Sequence, residues 1–146
     1  MAKIVEYIFD KAKYDLFPIF NDGATDFIYS YTDITNQDGT ITRTITGDVL
    51  PTKIRFGTII ASGSGGDGRE DALLQVLYLD NTNLTTEAQM FQGCRNLTSV
   101  QGFTSNVMHV INHMFSACAK LSFIDVSTWE VSGVIRFSYL LVSCSP

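Results

Sequence analysis

Two histidines four residues apart, His109 and His113, are the side chains whose spacing comes closest to that of a metal-ligand pair. On a helix, positions i and i+4 share one face, so both imidazoles would point toward the same ion. No third ligand follows at a recognisable spacing, and the segment from Met108 to Met114 also carries apolar residues of a buried face. We therefore expect surface or packing roles for both histidines and predict no metal site.

The chain contains three cysteines, Cys94, Cys118 and Cys144, and none belongs to a C-x-x-C pair. An odd set without such pairs favours buried free thiols in a reducing compartment. Oxidation is the alternative, because equivalent residues on adjacent repeats can lie within the Cα separation that a disulfide tolerates. The sequence shows no Ser/His/Asp or Cys/His arrangement, so we predict no catalytic residue and no enzymatic activity.

A Gly-rich segment, ASGSGGDGRED, occupies residues 61–71. It lacks the Lys-Ser/Thr ending of a phosphate-binding loop, so we predict no nucleotide and no other cofactor. Its acidic residues Asp67, Glu70 and Asp71 are expected to form a solvated tip, with weak cation binding as the alternative. The composition indicates a loop or a boundary between two parts of the chain.

The bulk composition excludes several classes of partner. The chain has 146 residues, of which 45% are hydrophobic and 12% aromatic, and its net charge is −5. A negative net charge opposes binding to a phosphate backbone, so no nucleic-acid partner is expected. No stretch approaches 18 apolar residues, and residues 1–16 lack a signal-peptide pattern, so we expect neither membrane insertion nor ordinary secretion.

The second half of the chain is internally repetitive. MFQGCRNLTSV at residues 90–100 recurs as MFSACAKLSFI at residues 114–124, a displacement of 24, and a weaker copy, LLVSC, follows at residues 140–144. Apolar residues at i, i+3 and i+6 lead into the second and third copies, whereas the first has Glu87 between Leu84 and Met90. This spacing predicts a helical segment, and a short extended segment follows Cys94 and Cys118. We therefore predict about 2.5 stacked units of strand, turn and helical segment over residues 73–146. The predicted repeat core comprises Leu84, Met90, Phe91, Cys94, Leu97, Val100, Met108, Ile111, Met114, Phe115, Cys118, Leu121, Ile124, Val126, Trp129, Val134, Phe137, Leu140 and Cys144.

The first half, residues 1–72, is rich in β-branched and aromatic residues. The runs KIVEYIF, FIYSYTDI, TITRTIT and KIRFGTII are separated by turn signals, which predicts four to six mostly antiparallel strands. Asp38-Gly39 between alternating Ile and Thr predicts a hairpin, and a helix is a weaker possibility over residues 10–16. A possible contact surface is formed by aromatic residues, although each could instead fill the β core: Tyr14, Phe17, Phe20, Tyr29 and Tyr31.

The pattern MFxxCxxLTxxD, together with the segment LSFIDVSTWEVSGVIRFSYLLVSC, resembles the BspA-type leucine-rich repeat of bacterial surface proteins and phage-encoded proteins. The resemblance matches Leu121, Ile124 and Val126 to the strand and Trp129 to the buried aromatic residue. It matches Val134 and Phe137 to the helical face, and Leu140 with Cys144 to the closing motif. The family's asparagine is Gly133 here and its MF pair is Leu140-Leu141, so the units have decayed. The leader before the repeats, with the segments VEYIF, SYTDITNQDGTITRTI and LPTKIRF, resembles those in proteins from phages of Gram-positive bacteria.

The resemblance implies an α+β protein in which a β-rich, antiparallel, sandwich-like N-terminal domain (1–72) caps a short BspA-like leucine-rich-repeat solenoid (73–146). It implies a non-enzymatic phage virion component, a fibre, baseplate or capsid-surface protein that mediates assembly or host attachment. Its partners would be other virion proteins or host cell-surface molecules. The alternatives are a bacterial cell-surface adhesin module and an intracellular interaction module. A homo-oligomer is expected, because residues 135–142 would leave an apolar outer face on the last unit.

Overall fold

The computed structural model describes residues 1–57, 69–124 and 129–130, and its main element is a six-stranded sheet. The sheet has the order β3-β4-β1-β6-β7-β8, while β2 and β5 form a separate antiparallel pair. The elements are β1 (Ala2–Phe9), β2 (Ile19–Phe20), β3 (Ser30–Thr35), β4 (Ile41–Gly47), β5 (Ile54–Arg55), α1 (Arg69–Ala72), β6 (Leu73–Leu79), β7 (Ser99–Val100) and β8 (Phe123–Ile124), with a 3-10 turn at Asn21–Gly23.

The antiparallel side of the sheet follows directly from the alternation in its sequence. In β4, Ile41, Arg43 and Ile45 point to the buried face, and the intervening threonines point to the other. The predicted hairpin between β3 and β4 is confirmed, with Ser30 opposite Thr46 and an unshifted register to the turn. Gly39 adopts a φ of 86° there, the left-handed conformation for which Asp-Gly is suited.

β6 joins the two halves of the chain into one sheet. It pairs with β1 in the antiparallel sense and with β7 in the parallel sense, and β7 pairs in parallel with β8. Gln75 lies opposite Ser99, and Ser99 lies opposite Phe123, so the parallel pairs follow the 24-residue displacement of the sequence repeat. The boundary predicted at residues 72–73 falls between α1 and β6, while the sheet and the hydrophobic core extend across it.

The predicted architecture, a sandwich-like cap on a BspA-like leucine-rich-repeat solenoid, is wrong. The sheet is mixed and continuous, and it incorporates the strands of both halves. Within the described ranges, the α-helix is confined to Arg69–Ala72, and the segment from Met108 to Met114 forms turns. Residues 10–16 are not helical either, so the fold is β-rich with almost no helix.

The backbone hydrogen bonds explain why the three-residue apolar spacing gave no helix. A helical amide donates to the carbonyl four residues earlier. Here Cys94 donates to the carbonyl of Phe91 three residues earlier, at 3.0 Å. Amides between such turns donate sideways to the next copy, as Phe91 does to Met114 at 3.0 Å and Gly93 to Ser116 at 2.8 Å. The three-residue spacing of the apolar side chains therefore reflects consecutive tight turns. Backbone amides that are not used within a turn donate to the neighbouring copy of the repeat.

Stacked rings run through the core beside these turns. The ring centroids of Phe56 and Phe91 are 5.7 Å apart, those of Phe91 and Phe115 are 5.6 Å apart, and both pairs lie within 16° of parallel. Trp129 continues this aromatic column at 6.3 Å from Phe115. Gly57 permits the close approach of the column's first member, because a Cβ at this position would overlap the Gln92 carbonyl.

Candidate functional site

Most residues of the predicted repeat core lie inside the protein. Ile124 and Trp129 are partly buried against the core, while Val126, Val134, Phe137, Leu140 and Cys144 fall outside the described residues. Cys94 and Cys118 are free thiols, and burial raises the pKa of Cys94 well above its usual value. The buried members are Leu84, Met90, Phe91, Cys94, Leu97, Val100, Met108, Ile111, Met114, Phe115, Cys118 and Leu121.

The two histidines do not share a helical face, because their segment forms turns. The Nδ1 atom of His109 lies 3.1 Å from a carboxylate oxygen of Glu87, and that of His113 lies 3.1 Å from the Ser116 hydroxyl. Glu87 is buried and also accepts the backbone amide of His109 at 2.7 Å. Burial raises the pKa of Glu87, which opposes its ionisation. The described part of the chain holds no cluster of three or more potential metal ligands.

Glu70 and Asp71, at the end of the Gly-rich segment, do not form the solvated tip that was predicted. Glu70 is buried in α1 and lies 3.4 Å from Arg95, and Asp71 lies 2.5 Å from the same guanidinium. This pairing fastens α1 to the turn after Cys94, so both carboxylates have a structural role. Asp67 lies outside the described residues.

In the first half of the chain, a buried arginine, Arg43, lies against several aromatic rings. Arg43 is 1% exposed and makes two hydrogen bonds to Asp33, at 2.7 and 2.8 Å, and one contact to Asp15 at 2.9 Å. Burial acts to lower the pKa of Arg43, but its bonds to Asp33 and Asp15 outweigh burial and raise it above its usual value. The same hydrogen bonds hold the pKa of Asp33 below its usual range. Arg43 is thus a fixed structural cation.

Three of the five aromatic residues considered as a contact surface pack against Arg43 or Arg69. The Arg43 guanidinium lies 4.0 Å from the centre of the Phe17 ring and 4.6 Å from that of Tyr31. The Arg69 guanidinium lies 5.0 Å from the centre of the Tyr14 ring. Of the remaining two residues, Phe20 is buried and Tyr29 is partly buried against it. Tyr31 alone among the five counts as exposed, at 49%.

The outer edge of β3 is exposed at one side of the sheet. β3 is the terminal strand of the sheet, and all six of its residues are exposed. Ile34 is 67% exposed and lies on the face that carries the outward threonines of β4, opposite Thr42. We refer to this unpaired side of Ser30–Thr35 as the β3 edge.

A cleft lies at the beginning of the β3 edge. It encloses about 420 Å³, and two large apolar side chains on its wall are exposed, Ile28 at 82% and Val49 at 66%. We refer to it as the acidic cleft, because its lining includes two carboxylates and no cation. The lining residues are Asn21, Asp26, Phe27, Ile28, Asp48 and Val49.

Sequence reasoning missed this surface because it ranked aromatic above aliphatic residues. The alternation of β4 was a usable signal, since buried Ile41 and Ile45 require the threonines to point outward. The hairpin register around Asp38-Gly39 then assigns Ile34 to the outward face. Ile28 and Val49 lie beyond the strand ends, where alternation carries no information.

Comparison with family models, with curated proteins and with solved structures found no match. Among the residues that the structure describes, no helix has the length and apolar character needed to cross a bilayer.

Proposed function

We propose that this protein is a non-enzymatic binding component of a larger assembly, and that the assembly is a phage virion. The observation that carries the binding role is the β3 edge, whose six residues are exposed and have no strand partner on their outer side among the described residues. The resemblance of the repeats and the leader to phage-encoded proteins supports the virion. The protein would act there in assembly or in attachment to the host surface.

The β3 edge lacks most of the features by which soluble proteins protect a terminal strand, and its one charged residue, Asp33, is already paired with Arg43. Such strands carry lysine, proline or a bulge, because open backbone groups otherwise pair with other chains. β3 has the sequence SYTDIT, without lysine or proline, and its pairing with β4 has no register shift. Exposed Ile28, Ile34 and Val49 add apolar area beside it. An edge of this kind is expected where a partner covers it.

The proposal is tested on purified particles of the phage that encodes the chain. A gold-labelled antibody against the protein should decorate a defined position on intact or detergent-opened virions in negative-stain images. Particles without label, and without the chain in their protein composition, would contradict the virion role.

Substitution of the edge tests the binding role in the same particles. Ile34→Lys places a charge on the β3 edge and should reduce incorporation of the protein into particles. Ala119→Lys is the matched control, because Ala119 is exposed and belongs to the turn before β8. Equal incorporation of both folded variants would show that the β3 edge is not the surface used.

A further inference from the structure

We infer that the β3 edge and the acidic cleft together bind one extended segment of a partner protein, and that this segment is basic and apolar. It would add to the sheet as a strand along β3 and place a lysine or arginine in the cleft. This inference rests on the proposed binding role and names the chemistry of the partner.

The edge and the cleft form a continuous surface. Ile28 precedes the first residue of β3 by two positions, and Val49 follows the last residue of β4 by two. Gly47 brings the two segments together, since a Cβ on it would lie 3.4 Å from the Ile28 carbonyl oxygen and 3.6 Å from that of Val49. We expect a strand paired with β3 that continues past Ser30 to run beside Ile28 and so to reach the cleft.

Strand addition suits the residues of β3. Main-chain hydrogen bonds supply affinity in this mode of recognition, and alternate side chains supply specificity. On one face the partner would meet Ile34 and Thr32, and on the other it would meet Tyr31. Asp33 on that second face is already held by Arg43, so the partner gains no free carboxylate there. β-Branched residues are the favoured neighbours for such a surface.

The negative charge of the cleft favours a basic residue at the end of the partner segment that enters it. Asp26 and Asp48 line it, and no cation does. The ion pair recorded for Asp48 is a 4.0 Å contact with the Met1 amino group, and both groups are well exposed. A pair between such solvated groups contributes little stability, so a partner cation can replace it. The net charge of −5 also favours approach of a basic segment.

A second copy of this chain fits the surface less well than a basic segment. Two β3 strands paired about a two-fold axis would run antiparallel, which brings the turn after each β3 beside the cleft of the other copy. That turn, Asn36–Thr40, contributes Asp38 and no cation. Hydrogen bonds from Thr40 hold the pKa of Asp38 below its usual value, so a carboxylate would face Asp26 and Asp48. Like charges in this position disfavour the dimer.

The test uses the full chain and a displayed library of random 12-residue peptides. Selection should enrich alternating Val, Ile and Thr with Lys or Arg toward one end. A synthetic peptide of the consensus, measured by fluorescence anisotropy, should bind about tenfold more weakly to the Asp26→Asn/Asp48→Asn variant, as for loss of a close charge pair. Ile34→Lys should also weaken binding, and Ala119→Lys should not. Circular dichroism checks that every variant is folded.

Several results would overturn the inference. A library that yields no consensus, or an acidic one, would exclude a basic segment, and so would equal affinity of the consensus peptide for the Asn variant. Self-association in sedimentation equilibrium that Ile34→Lys abolishes would assign the edge to a second copy. Unlabelled virions together with peptide binding would reject only the virion role. Labelled virions without peptide binding would reject only this inference.

Discussion

The two sides of the sheet share one hydrophobic core but are held in place by different means. On the antiparallel side, β1, β3 and β4 are six to eight residues long, and long ladders fix their register, with one shift between Lys3 and Val5 of β1. On the parallel side, β7 and β8 are two residues long. Tight turns, amides shared between copies and the aromatic column hold that region. The comparison shows that strand ladders order one side, whereas side-chain stacking and turns order the other.

The largest expected effect comes from removing the middle of the aromatic column. Phe91 is buried between Phe56 and Phe115, so Phe91→Ala leaves a cavity and should lower the free energy of unfolding by about 4 kcal/mol. Urea denaturation followed by circular dichroism measures the change. Tyr31→Ala, which removes a half-exposed ring from the antiparallel side, should cost clearly less. Equal losses of unfolding free energy in the two variants would contradict the proposed difference between ring stacking on the parallel side and strand ladders on the antiparallel side.

A somewhat smaller effect is expected at the buried cation of the antiparallel side. Arg43→Ala leaves Asp33 and Asp15 without their guanidinium and should cost about 3 kcal/mol. This is the low end for a broken buried pair, because both carboxylates are partly exposed. Arg43→Met, which keeps most of the volume, should cost less in the same denaturation assay. A milder loss for alanine than for methionine would contradict the packing role of the side chain.

The smallest effect is a pH dependence of opposite sign on the two sides. The depressed pKa of Asp33 gives stability that is present above its unfolded value of about 4 and is lost as the pH falls below it. The raised pKa of Glu87 makes its ionised form costly at neutral pH, so stability returns as the pH falls toward about 4.3.

Unfolding in urea at pH 7, 5 and 3 separates these two contributions. Wild type should gain stability relative to Glu87→Gln between pH 7 and 5. It should lose stability relative to Asp33→Asn between pH 5 and 3. A constant difference from either variant across its interval would contradict the corresponding assignment.

The parts of the fold that local chemistry specifies could be predicted from sequence. The β3–β4 hairpin followed from Asp38-Gly39 and the flanking alternation. The helical segments did not, because a three-residue apolar spacing fits both a helix and consecutive tight turns. The positive φ values at Gln89 and His113, 24 residues apart, mark the turns. Histidine is enriched in that conformation, but it is still uncommon, and glutamine gives no signal for it.

The junction of the two halves was beyond sequence reasoning because it is a non-local pairing. Tyr7 in β1 lies opposite Val76 in β6, and no local signal connects these positions. The surroundings of the candidate contact residues were beyond sequence reasoning for a related reason. Phe17 and Tyr14 are covered by Arg43 and Arg69, which are distant in sequence, whereas the exposed aliphatic residues beside β3 carry no aromatic signature.

The burial of Cys94 and Cys118 has a consequence for kinetics. Both thiols have no exposed surface, and a thiol with a raised pKa reacts slowly even when it is reached. In a Cys144→Ser background, the rate at which a maleimide reagent labels the protein therefore reports how often the turns around these residues open. The labelling rate would measure local opening in this half of the molecule separately from global unfolding.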